Sequence, residues 1–105
     1  MIARIWHGRT NIPQADSYVD FLKQTGIPDY LGTDGNRGVL LLRRLVEDEA
    51  HFLLISYWDS EQAIRRFAGS DIEKARYYPD DKDYLLEFEP TVSHYEVIET
   101  GPRSD

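Results

Sequence analysis

Apolar and polar positions alternate with two periods along this chain, and the changes of period mark its elements. IARIWHGR, residues 2 to 9, reads as a first strand: Ile2, Arg4 and Trp6 share one face, and Ala3, Ile5 and His7 the other. Pro13 suits the first turn of a helix, where its missing N–H would be unpaired in any case. Ala15, Tyr18, Val19 and Leu22 follow with helical spacing, and Phe21 widens the stripe. Gly26 and Pro28 predict the end of that helix, and DYLGTDGN, residues 29 to 36, a turn-rich connection. A second strand is predicted from Arg37 to Val46, with Val39, Leu40, Leu41 and Leu42 filling both faces, then a charged turn at Glu47-Asp48-Glu49.

HFLLISYWDS, residues 51 to 60, carries the third strand. Asp59 is expected to cap a second helix, with Gln62 completing a capping box. Ala63, Ile64, Phe67 and Ala68 form its apolar stripe, and Gly69 ends it. Asp71 is expected to restart a short helix carrying Ile72 and Ala75. YYPDDKDY, residues 77 to 84, reads as a loop, TVSHYEVIE, residues 91 to 99, as a last strand, and GPRSD as a tail that frays. The division is one domain over residues 1–99 and a C-terminal tail over 100–105.

The third strand raises a packing problem. Phe52, Leu54 and Trp58 point one way and Leu53, Ile55 and Tyr57 the other, so both faces need cover. The order strand, helix, strand, strand, helix, strand predicts a ferredoxin-like α+β fold. Strands one and three lie in the middle of an antiparallel sheet, with both helices on one face. Nothing else in the chain covers the other face, and a contiguous apolar patch is rare on monomers. The expectation is a homodimer packed sheet against sheet, in which each fully buried large side chain contributes roughly 1.5–3 kcal/mol.

Composition narrows the partners. The 105 residues hold 12 basic and 19 acidic side chains, a net charge of −7 that repels phosphate backbones and anionic lipid. Neither nucleic acid nor a membrane is therefore expected as a partner. There is no cysteine, so disulfides and thiolate chemistry are excluded. The opening MIARIWHGR has no apolar run long enough for a signal peptide or a spanning helix, which leads to the expectation of a cytoplasmic protein. His7, His51 and His94 show no paired spacing for zinc. PDDKD, residues 79 to 83, lacks the glycine and distal glutamate of a calcium loop. No GxGxxG, P-loop or GxSxG motif is present, so no nucleotide cofactor is indicated.

The element order over residues 2 to 99, together with YWDSEQAIRRFAGSDIEKARYY at residues 57 to 78, resembles the antibiotic-biosynthesis-monooxygenase-type dimeric α+β barrel family. The resemblance implies a cofactor-independent oxygenase of aromatic, quinol or polyketide-type substrates, working without metal or flavin. Haem-degrading members carry an Asn late in the first strand, a Trp in the second helix and a His after it. Here the matching positions hold His7, Phe67 and Tyr77, which departs from all three.

His7, if it faces the helices, would sit at the mouth of a pocket between helices and sheet and could accept a phenolic proton as a base. The plain alternative is a partly buried His bonded to backbone or to Tyr. His94, on the strand expected beside the first, is the second candidate base, oriented by Glu96 at i+2, or else a surface or dimer-contact residue. Trp58, Phe67, Tyr77 and Tyr78 are candidate substrate-binding residues, since aromatic walls suit a flat ring; for Phe67 ordinary core is the competing role. Trp6 and Tyr95 are candidates for the intersheet core. Arg43 and Arg44 point to opposite faces, so one is placed to neutralise a ligand anion or to pair with an acidic residue. A non-catalytic small-ligand-binding or interaction protein on the same barrel is the alternative to an enzyme, and fold analogy adds a lactone isomerase.

Overall fold

Along the strand Glu49–Trp58 every second residue is buried: Ala50, Phe52, Leu54, Ser56 and Trp58 are shielded, while Glu49, His51, Leu53, Ile55 and Tyr57 stay half-exposed. Such alternation is what a strand with one covered face produces. The open face here is itself largely apolar. The structure, a computed structural model, describes residues 1–103. The fraying expected of the tail at Ser104 and Asp105 lies outside the described residues.

The elements are β1 (Ile2–Asn11), α1 (Ala15–Gln24), α2 (Gly26–Leu31), β2 (Asn36–Val46), β3 (Glu49–Trp58), α3 (Glu61–Ala68) and β4 (Ser93–Glu96). The strands form one antiparallel sheet in the order β2-β3-β1-β4. Thus β1 and β3 are central, as the ferredoxin-like order predicts. Opposed residues in antiparallel strands share a face, so the register Trp6↔Leu54, Gly8↔Phe52 and Arg4↔Ser56 assigns the even-numbered side of β1 to the even-numbered side of β3. That side carries the helices. Trp6, Phe52, Leu54 and Trp58 form one buried cluster with Ala15, Tyr18 and Leu22 of α1, Tyr30 of α2, and Ala63, Ile64 and Phe67 of α3. Gly8 is required by this packing, because a Cβ there would come within 2.3 Å of the Trp6 indole.

Four expectations are corrected. The first helix ends at Gln24, as Gly26 and Pro28 predict, but the connection expected over residues 29 to 36 is partly helical: Gly26–Leu31 form α2, where Pro28 sits in the first turn and its missing N–H costs little. The chain changes direction at Thr25, whose φ of −120° and ψ of −81° are not helical. The N-cap of α3 is Ser60, not Asp59: the extended Ser60 accepts a bond from the Ala63 backbone N–H. No helix restarts at Asp71. The backbone there bonds to distant chain instead, with Ala75 N–H donating to Pro90 O and Val92 N–H to Glu73 O. A single turn forms, with Lys74 N–H donating to Asp71 O at 3.2 Å, and those tertiary partners keep it from continuing as a helix. Residues 79–83 are a 3₁₀ turn rather than an open loop, and its Asp81 is buried.

Candidate functional site

The helix-covered face holds most of the residues expected to bind a ring. Trp58 and Phe67 converge with Tyr30, the Phe67 and Tyr30 rings stacked at 4.3 Å and the Phe67 and Trp58 rings 5.6 Å apart. The Arg76 guanidinium lies 4.8 Å above Phe67 and 5.2 Å from Tyr78. The Tyr78 hydroxyl donates to Asp29. Tyr77 packs edge-on against Trp6 and Phe88, and its hydroxyl donates to Glu89 O at 2.5 Å. The space left among Trp6, Tyr18, Tyr30, Phe67 and Tyr78 is about 20 Å³, room for a water and no ring.

Burial governs the chemistry of this chamber. It pushes the Tyr30 hydroxyl up to about 12, against the pull of Arg4, and drives Tyr18 and Tyr78 up as well. These phenols keep their protons, and Tyr18 and Tyr78 act as fixed donors. Tyr18 donates to Asp81 at 2.9 Å, and burial raises the Asp81 carboxyl although Tyr78 N–H and Tyr18 pull it back down.

His94 belongs to this side too. Its register partner is Arg4, and its Nε2 lies 3.1 Å from Arg4 Nη1. Arg4 also donates to Ile72 O at 2.5 Å and Lys74 O at 2.9 Å. Burial first, then the Arg4 charge, holds His94 below its ordinary value. Arg4 Nε and Trp6 Nε1 have no bonding partner among the described residues.

His7 is on the other face of the sheet. It shares the odd-numbered side of β1 with Ala3, Ile5 and Arg9, so it does not stand at the mouth of the helix-side chamber, and His7 and His94 are not neighbours. Its companion is His51, two register positions away across β3. His7 Nε2 and His51 Nδ1 are 2.9 Å apart, and the rings stack at 5.2 Å. His7 Nδ1 meets Glu89, and His51 Nε2 lies 3.3 Å from Glu49. Arg9 holds both Glu49, at 2.8 Å, and Glu87, at 3.1 Å.

The four side chains Glu49, His51, His7 and Glu89 thus form a line with two hydrogen bonds, His7 to Glu89 and His7 to His51, and two neutral imidazoles supply one proton to each. The 3.3 Å contact of His51 Nε2 to Glu49 is the longest in the line and leaves that nitrogen outside the hydrogen bonds. Among the described residues, no group of three or more His, Cys, Asp or Glu is placed to hold a metal ion.

The pair overlooks a groove of about 620 Å³ lined by His7, Leu42, Arg43, Arg44, Val46, His51 and Leu53. Below it, the same face presents Leu40, 48% exposed, and Tyr95, 60% exposed, beside Ile5, Ile55 and Tyr57. The histidine pair was hidden from sequence spacing because it forms across strands 44 residues apart. Only the β1–β3 register reveals it.

No protein-family model matches the chain, and a search of curated proteins found no match. Solved structures do. A candidate antibiotic biosynthesis monooxygenase from Nitrosomonas europaea aligns at 12% identity over 94% of this chain and 100% of its own, with a TM-score of 0.67. One from Bacillus cereus aligns at 15% identity over 97% of each chain, with a TM-score of 0.65. The heme-degrader MhuD from Mycobacterium tuberculosis, solved with two hemes in its active site, aligns at 16% identity over 97% of this chain and 100% of its own, with a TM-score of 0.61. At such identities the likeness is one of fold, and the chain has the ferredoxin-like α+β fold of the antibiotic biosynthesis monooxygenase-type proteins.

Proposed function

We propose that the protein is a monooxygenase-like enzyme for a small aromatic substrate of the phenol or quinol class, working as a homodimer and without metal or flavin. The observation that carries this is the Glu49–His51–His7–Glu89 line beside an open groove of about 620 Å³. The shared fold supports it. His7 and His51 together accept the phenolic proton, with Glu89 orienting His7. The electron-rich phenolate then reacts with O2: one oxygen atom enters the ring and the other leaves as water. All four electrons come from the substrate, as when a quinol becomes a hydroxyquinone. A second copy, packed on Leu40, Ile55 and Tyr95, roofs the groove and excludes bulk water.

Haem is a poor fit to the helix-side chamber, which its own side chains fill. That same filling favours a second reading, a non-catalytic protein that binds small ligands on the open face alone.

Oxygen uptake with a panel of quinols separates the two. His7→Ala is expected to slow turnover at least tenfold, the low end of what a general base supplies (about 10²–10⁴-fold). His94→Ala is expected to leave it unchanged, because His94 faces the other way. Ligand retention with no oxygen uptake in the wild type selects the binding protein. Loss of activity in His94→Ala alone moves the chemistry to the covered face.

A further inference from the structure

A neutral imidazole carries its proton on one nitrogen, and the bonds around the ring decide which. Two arrangements fit the line on the open face. In the first, His7 Nδ1–H donates to Glu89, His51 Nδ1–H donates to His7 Nε2, and His51 Nε2 is a bare lone pair. In the second every donor is reversed. His51 Nε2–H then points at Glu49, His7 Nε2–H donates to His51 Nδ1, and the bare lone pair is His7 Nδ1, set against Glu89.

The two ends of the line choose between them. A carboxylate only accepts, so a bare nitrogen facing one meets a repulsion that grows as the contact shortens. The Glu89 contact is the shorter; at Glu49 the separation is 3.3 Å. Charge points the same way. Glu49 is already neutralised by Arg9 at 2.8 Å, whereas His7 is the only ion-pair partner of Glu89 among the described residues. The proton therefore stays at the Glu89 end, and the lone pair emerges at His51.

We propose that His51 Nε2 is the proton-accepting atom of the pair, and that His7, locked by Glu89, is a positioning residue that holds His51 in this tautomer. The assignment rests on the oxygenase reading for its role in turnover and adds the accepting atom. Every bond in it lies within one protomer, so the lock needs neither a free surface nor a contact from a second copy. The transfer balances: the phenolic O–H breaks, an N–H forms at His51 Nε2, and the ring becomes an imidazolium 3.3 Å from Glu49 Oε1. Glu49 Oε2 stays on Arg9, which keeps the carboxylate in place to offset the new charge.

Nitrogen NMR of isotope-labelled protein tests the tautomer, because a protonated ring nitrogen and a bare one resonate far apart. At mildly alkaline pH, where histidine is neutral, the expected spectrum has protons on Nδ1 of both rings and a bare Nε2 on His51. Glu89→Gln is the sharpest perturbation. Its amide can donate to His7 Nδ1, so the line is expected to reverse and place a proton on His51 Nε2, against Glu49. Oxygen uptake on hydroquinone should then fall by about tenfold or more, as should that of His51→Ala, and a His7→Ala/His51→Ala pair should fall little further. Glu49→Gln should keep the wild-type tautomers. A wild-type spectrum with the proton on His51 Nε2, or full turnover in His51→Ala, overturns the inference while hydroquinone oxidation leaves the oxygenase reading standing. A wild type that takes up no oxygen overturns that reading, and the spectrum still decides which nitrogen accepts a proton. Circular dichroism of the variants separates a lost lock from a lost fold.

Discussion

The two faces of the sheet differ in how their apolar content is disposed of. On the helix side, Phe52, Ile64 and Trp58 are fully buried, and Trp58 Nε1 donates to Ser56 Oγ at 2.8 Å, while Arg4 Nε and Trp6 Nε1 have no partner among the described residues. On the open side, apolar residues alternate with the same regularity, yet Leu40, Leu42 and Tyr95 remain 43–60% exposed. One face is a finished interior with no room for a ligand. The other has the groove, the histidine pair and an unfinished apolar surface. The lesson is that a large aromatic content did not mark the open space. Aromatic side chains filled the chamber that the sequence suggested for a substrate, and the space lies where two histidines face outward.

The sharpest way to break this contrast is to damage each face in turn. Phe52→Ala removes a ring packed on Tyr18 and is expected to cost about 3–5 kcal/mol by chemical denaturation, at any protein concentration. Ile55→Lys on the other face should leave the circular dichroism intact and instead halve the mass measured by sedimentation. A particle of 12.2 kDa already in the wild type would show that no second copy covers the open face.

A smaller effect tests the polar side of the covered core. Tyr18→Phe leaves buried Asp81 Oδ1 without its donor, and a loss of about 1–3 kcal/mol is expected in thermal melts.

The smallest effect is one of pH. His94 is held below its ordinary 6.5, so in this range the unfolded chain binds more protons than the folded one. Its contribution to stability is therefore complete above about pH 6.5 and declines as pH falls toward the lowered folded-state value. The melting temperature should drop on acidification, and His94→Gln should flatten that drop; an unchanged slope would detach His94 from Arg4 in solution.

The sheet order was readable in the chain because β1, β2 and β3 each carry an apolar run of strand length, and the charged stretch at Glu47-Asp48 is the turn between two of them. The helix stripes were readable at Ala15, Tyr18 and Leu22 and at Ala63, Ile64 and Phe67, all buried. What could not be read was parity. Both sides of β1 offer apolar residues, and it is the bulk of Trp6 over Gly8 and the bonds of Arg4 that turn the even side inward. That turn moved His7 from the expected helix-side pocket to the open face. The segment from Ile72 to Ala75 also misled, since its helical spacing is real but its carbonyls are taken by Arg4. Of the candidate site, His7 was visible; Glu49, His51 and Glu89 were not, because cross-strand register joins them.

Arg4 has one more consequence, for the order in which the molecule is made. Its partners lie 68, 70 and 90 residues further along the chain. A strand that leaves the ribosome first must wait for nearly the last segment before its guanidinium is sheltered. Folding that depends on such remote closures is slow relative to local helix formation. During synthesis β1 therefore stays unsealed on one edge until residues 72 to 96 have been made.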